Sequence, residues 1–295
     1  MLIGEKLNEG SFMYREIADN TGPLSAWFHA LMYYLFDESL LARHIIAFIF
    51  LFCQSAFVGI IFITNKVFNE NTFIPSLIFS ILCFFSFDML ALSDELLGSG
   101  FLLLALNNLF REIEFRMPRD ETVFTLGIFL GLASLFYLPY VIFLCGTIVI
   151  LFLFARTDLR KFLLMIFGFL LPHFFVVTIT YLSGSVDPLW NNFYLSGLTL
   201  SGDYLVGTKG VVTLGIIPIF YLVVSIIMLN RLARFSKYQA QLLQSMFLWI
   251  GFCFIYFIFC RDFRPQTMIV IFPAVTFLFT HFLLLIRRKK FAEMN

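Results

Sequence analysis

The sequence predicts an all-α, polytopic integral membrane protein with about nine transmembrane helices and further helices lying at the membrane surface. Three observations carry that expectation. Apolar residues make up 60% of the 295-residue chain and charged ones only 13%, whereas a water-soluble domain carries roughly a quarter charged residues. With a mean hydropathy of +0.92, most of the surface must be solvated by lipid. Apolar runs near the length needed to cross a bilayer core recur along the whole chain, and Lys and Arg alternate in abundance between the loops joining them.

Taken in order, residues 1–39 form a polar loop that becomes an aromatic, surface-lying helix, within NEGSFMYREIADNTGPLSAWFHALMYYLF. Spans follow at 40–64, 74–92, 95–111, 122–137, 139–155, 161–182, 210–229, 243–260 and 268–286. The run 122–155 is too long for one crossing, and Leu138-Pro139-Tyr140 marks its break because proline interrupts the helical ladder. Ser93 or Asp94 suits the N-cap of the helix from 95, and Gly127-xxx-Gly131 suits close helix packing. In the segment 183–209, Trp190, Phe193 and Tyr194 fit a second interfacial helix, and 287–295 is a short tail. The whole reads as a single transmembrane domain.

Fourteen of the twenty basic residues fall in the loops 65–73, 112–121, 156–161 and 230–242 and the tail, with Arg111 at its span boundary. That asymmetry puts the C-terminus in the cytoplasm and the first loop outside. Met1-Leu2-Ile3-Gly4 has neither the basic start nor the apolar core of a signal peptide. A further span ahead of Met1 is therefore expected to deliver the loop outward. A net charge of +1 provides no field for nucleic acid. The five cysteines sit in apolar runs at irregular spacing and read as small packed hydrophobes.

Polar and ionisable residues collect at the expected outer ends of the spans: Glu9, Tyr14, Arg15, Glu16 and Asp19, then Asp88, Asp94 and Glu95, then Arg261, Asp262, Arg264 and Gln266. Charges at membrane depth face water-filled cavities or each other. Arginine there can hold a phosphate through forked hydrogen bonds, and a carboxylate can act as general base. Plainer roles compete. Asp19-Asn20-Thr21-Gly22-Pro23 is good turn chemistry, Arg261 and Arg264 can anchor at the interface, and His173 and His281 sit singly in apolar helices as packed residues. GDYLVGTK at 202–209 is no phosphate loop, since Lys and Thr stand in the wrong order and no strand precedes it.

The order of these motifs resembles the GT-C polytopic glycosyltransferases, in particular bacterial members related to protein mannosyltransferases and lipid A aminoarabinose transferases. Tyr14, Arg15, Glu16, Asp19, Pro23 and Leu24 fall on a Y-R-D-x-x-D-x-x-P-P-L pattern, with Gly22 in place of the usual first proline. Ser39, Leu40 and Ala42 fall on the G-x-S-L-x-A-x-R segment that opens the next span, with Arg43 one place before the pattern's arginine. LSDELLGSGFLLLALNNLFR (92–111), LGIFLGLASLFYLPYVIFL (126–144), FGFLLPHFFVVTITYLSGSVDPLWNNFY (167–194) and RDFRPQTMIVIFPAVTFL (261–278) are similar to later segments. The resemblance implies a polyprenyl-phosphate-linked sugar donor, an inverting transfer at the outer face of a bacterial inner membrane, and in some members a divalent metal ion. On that reading the candidates are Asp19, Glu16 or Glu95 as the catalytic carboxylate acting as base, Arg261, Arg264 and Arg15 for the donor phosphate, and Tyr14, Asp88, Asp94 and Gln266 as polar cavity residues. The family's most characteristic acid belongs to a first helix that would precede Met1, and the usual soluble C-terminal domain is not seen. A non-catalytic GT-C-like subunit of an envelope secretion, motility or export complex is therefore the alternative.

Overall fold

The computed structural model describes residues 2–17, 19–85, 87–114, 120–155, 158–198, 236–260 and 264–293, with side chains to Leu284. The expected span 210–229, part of the segment 183–209 and the side chains of the tail lie outside the described residues. Among the described residues the chain is helical, with one isolated bridge between Met13 and Ile17.

Two short helices precede the bundle: α1 (Leu2–Asn8) and α2 (Pro23–Phe36). Asn8 donates to the carbonyls of Gly4 and Ala30 and ties α1 to α2. On α2, Pro23, Ser25, Ala26, His29 and Met32 face inward, while Trp27, Leu31, Tyr34 and Leu35 are exposed, so one face packs on the bundle. The bundle continues with α3 (Leu40–Thr64), α4 (Ile74–Cys83), α5 (Asp94–Glu114), α6 (Asp120–Phe136), α7 (Ile142–Phe154) and α8 (Leu159–Leu182). A short helix α9 (Val186–Leu189) runs into a π turn over Trp190–Leu195. Helices α10 (Lys237–Phe259) and α11 (Phe272–Glu293) close the chain. Four of these, α3, α5, α8 and α10, are long and apolar enough to cross a membrane.

The boundaries follow local chemistry. Ser39 caps α3 through its hydroxyl, and Ser236 caps α10 in a reciprocal capping box with Gln239. Pro139 breaks the long run, with a 3-10 turn over Leu138–Val141 leading into α7. The expectation for 74–92 is corrected: α4 stops at Cys83, and Phe87–Leu90 is a separate 3-10 turn before α5. The chain leaves α4 at Phe84 and turns again at Phe87–Leu90, where the Ala91 N–H donates to the Asp88 carbonyl, although hydropathy alone extends the helix to 92.

Helices α6 and α8 pack backbone against backbone. A Cβ on Gly127 would run into the Met165 carbonyl, and one on Gly168 into that of Phe124. Phe62, Phe110 and Phe277 cluster edge and face in the main core. Cys83, Cys253 and Cys260 are buried there, whereas Cys53 and Cys145 are exposed, against the expectation that all five are packed. A satellite cluster of Tyr14, Leu135, Leu138, Val176, Leu189 and Phe193 joins the first loop to the ends of α6 and α8 and to the π turn.

Candidate functional site

At the end of the bundle where α5 begins lies a cavity of about 340 Å³. Its walls come from five separated segments: Asp19, Asn20 and Thr21; Asp94 and Glu95; Tyr137, Leu138 and Pro139; Ser196 and Gly197; and Arg264. Three carboxylates and one guanidinium thus meet where the chain's apolar composition would otherwise leave a dry end.

Each wall is positioned by a specific contact. Asp19 accepts from the backbone N–H and hydroxyl of Thr21, at 3.0 and 3.1 Å, so the turn expected at this point forms and consumes one carboxylate oxygen. Gly22 lies against the end of α6, where a Cβ would collide with the carbonyls of Leu135 and Phe136; this close approach explains glycine at that place. Tyr14, buried and at a φ of 66°, donates to the Thr21 carbonyl at 2.6 Å and so closes the loop from behind. Burial, then the neighbouring charges of Asp94, Tyr194 and Asp19, push the Tyr14 phenol well above its usual range, keeping it a neutral donor. Ser93 caps α5, its hydroxyl accepting from the Leu96 N–H at 3.2 Å, and it also contacts the Glu95 carboxylate. The Tyr140 hydroxyl donates to the Glu95 carbonyl at 2.7 Å, and the Tyr140 ring stacks on Tyr256 at 5.4 Å beneath the cavity.

Asp94 carries two contacts from α2. Its Oδ1 accepts from the Ser25 hydroxyl and lies 3.2 Å from His29 Nε2. Behind the lining residues, His173 of α8 bridges Ser134 at 2.8 Å and Tyr194 at 2.9 Å. The Ser134 hydroxyl also reaches the Gly131 carbonyl at 2.8 Å. That chain assigns the His173 proton to Nε2, with Tyr194 donating to Nδ1. His173 is therefore a packed residue holding the π turn, whose Asn192 reaches the Tyr14 carbonyl at 3.4 Å.

Of the residues singled out in the sequence, Asp19, Asp94, Glu95 and Arg264 line the cavity. Tyr14 supports it from behind. Arg15 and Glu16 are exposed and do not line it; Glu16 instead accepts from the Phe12 N–H at 3.1 Å. Asp88 is exposed beside the cavity end, and its carbonyl accepts from the buried Gln266 amide, so Gln266 joins two turns rather than facing the cavity. Arg261 lies outside the described residues. Sequence reasoning missed Ser25 and His29, whose signal is two polar side chains four apart on an otherwise apolar helix. It also undervalued Arg43. That side chain is 7% exposed, and its Nε and Nη2 find no hydrogen-bond partner among the described residues. A guanidinium does not shed its proton, so burial without an anion is costly. The neighbouring His44 contacts the Leu90 carbonyl at 2.9 Å. For the divalent ion, no three His, Cys, Asp or Glu side chains gather closely enough to form a ready ligand set among the described residues.

No protein-family model and no curated protein matches the chain. Among solved structures it matches the crystal structure of ArnT from Cupriavidus metallidurans bound to undecaprenyl phosphate, with a TM-score of 0.58 and 12% identity. The match covers 94% of this chain and 53% of that one, so the chain spans about half the length of that structure. At that identity the likeness is one of fold. The chain has a polytopic membrane GT-C fold.

Proposed function

We propose that this chain carries the membrane part of a GT-C glycosyltransferase that takes a polyprenyl-phosphate-linked sugar in the cavity between Asp19, Asp94, Glu95 and Arg264. The observation that carries the reading is the convergence of three carboxylates and an arginine from separate segments on one cavity, within this fold. In this reading Arg264 holds the donor phosphate. A cavity carboxylate takes the proton of the acceptor hydroxyl as its oxygen bonds to the anomeric carbon. The bond from that carbon to the phosphate oxygen breaks with inversion, and the electron pair leaves on the polyprenyl phosphate. The cavity faces outward from a bacterial inner membrane and the C-terminus lies in the cytoplasm, consistent with the charge asymmetry of the loops.

The test is transfer from radiolabelled undecaprenyl-phosphate sugars, a hexose and an aminopentose, by the full-length protein in proteoliposomes. Arg264→Ala is expected to lower transfer roughly 10²-fold. Equal transfer by Arg264→Ala and wild type sinks the assignment. A wild type that binds undecaprenyl phosphate but transfers no sugar points to the non-catalytic subunit instead.

A further inference from the structure

The cavity holds three carboxylates, and nothing in their chemistry alone says which one works on the acceptor. Their surroundings differ. Asp19 spends an oxygen on closing its own loop, and Glu95 is engaged within its own segment by the Ser93 hydroxyl and its own backbone N–H. Asp94 is held from outside its own segment, by two side chains on one face of α2, Ser25 and His29, that meet the same oxygen. Both are buried, as α2 requires of its inward face. This is not a hydrolytic triad, in which histidine bridges serine and acid. Here the acid bridges serine and histidine, so Ser25 gains no base and is no nucleophile.

We propose that Asp94 is the working carboxylate of the cavity and that Ser25 and His29 are its positioning residues. This rests on the glycosyl-transfer reading above. Ser25 donates its hydroxyl proton and His29 its Nε2–H to Oδ1. Nδ1 of His29 is buried without a partner. A bare ring nitrogen tolerates that state better than an N–H donor does, so the neutral Nε2–H tautomer fits the site. With Oδ1 occupied twice, the second oxygen of Asp94 is the one left for the acceptor, at an orientation set by α2. Helix α2 thereby fixes the geometry of a group 65 residues away in sequence. Misplacing a reacting group by an ångström costs roughly 10²-fold, so the positioning contacts belong to kcat rather than to donor binding.

Two measurements on the full-length protein test this. In the transfer assay, His29→Leu lowers kcat by roughly tenfold or more, with KM for the lipid donor and undecaprenyl-phosphate binding unchanged. His29→Gln, whose amide N–H stands near the position of Nε2, restores most of kcat, and Ser25→Ala gives a smaller loss. In ¹⁵N-histidine NMR the chain has only four histidines, and His29→Gln identifies the His29 signals. Asp94→Asn then shifts the His29 Nε2 signal and leaves the other three residues in place. Wild-type kcat in His29→Leu, or no rescue by glutamine, overturns the positioning role. A His29 signal indifferent to Asp94→Asn overturns the contact, whatever the protein transfers. A wild type that neither binds undecaprenyl phosphate nor transfers sugar overturns the donor reading instead, and the contact is then decided by the nitrogen signals alone.

Discussion

The two ends of α5 handle charge in opposite ways. At its start, Asp94 and Glu95 open on a cavity shared with Asp19 and Arg264. Eighteen residues on, about 27 Å along the helix, Glu112 is paired with Lys161 of α8, and both side chains are under 10% exposed. Around that second end, polar groups satisfy one another. Asn65 reaches Asn107 at 2.9 Å, Tyr238 reaches the Asn65 carbonyl at 2.9 Å, and Gln239 reaches Asn69 at 2.9 Å. Polar residues in an apolar bundle therefore serve two purposes here. Paired, they fasten helices; grouped around space, they form a site.

The comparison can be broken in four ways. The largest effect is expected from Lys161→Ala, which strands the Glu112 carboxylate and should cost about 3–5 kcal/mol. Folded protein recovered in detergent reads that loss, and normal recovery with a normal melting point would refute the pairing. Next, Asp94→Asn keeps an acceptor for Ser25 and His29 and so leaves the melting point near wild type, while transfer falls by about 10²–10⁴-fold. A fall in stability without a fall in transfer would make the cavity end structural like the other. Tyr14→Phe removes the hydrogen bond to Thr21 and should cost about 1 kcal/mol near neutral pH.

That third substitution also has a pH signature. The Tyr14 phenol is held above its unfolded value, so its contribution is complete below about pH 10 and is lost as pH rises beyond it. Wild type should thus lose stability more steeply than Tyr14→Phe in melts carried above pH 10, and parallel curves would exclude the contribution. The smallest effect is expected from Arg160→Ala. Arg160 meets Asp120 at 2.8 Å on an open surface, where such pairs add little. The melting midpoint should not move, and a marked drop would mean this end relies on surface charge as well.

Much of the fold was legible in the residues. The break at Pro139, the cap at Ser93 and the close contact at Gly127 follow from backbone chemistry that acts within a few positions. The stop of α4 at Cys83 was not legible, because hydropathy over 84–92 does not register the hydrogen bonds that turn the chain at Phe87–Leu90. Of the site, Asp19, Asp94, Glu95 and Arg264 could be named, since charge in an apolar chain is conspicuous. Ser25 and His29 were missed: their spacing marks one face of α2, but the Asp94 they hold stands 69 and 65 residues away.

By itself, the sequence determined that the chain is helical and lies in a membrane, because too few polar residues exist to cover a water-facing surface. It also determined which residues are expensive to place there. Only the tertiary structure decided which of those charges are satisfied and which open on space. Glu112 and Asp94 are alike in chemistry and share one helix; what separates them is the partner that α8 brings to one and the cavity that α2 and the first loop build beside the other.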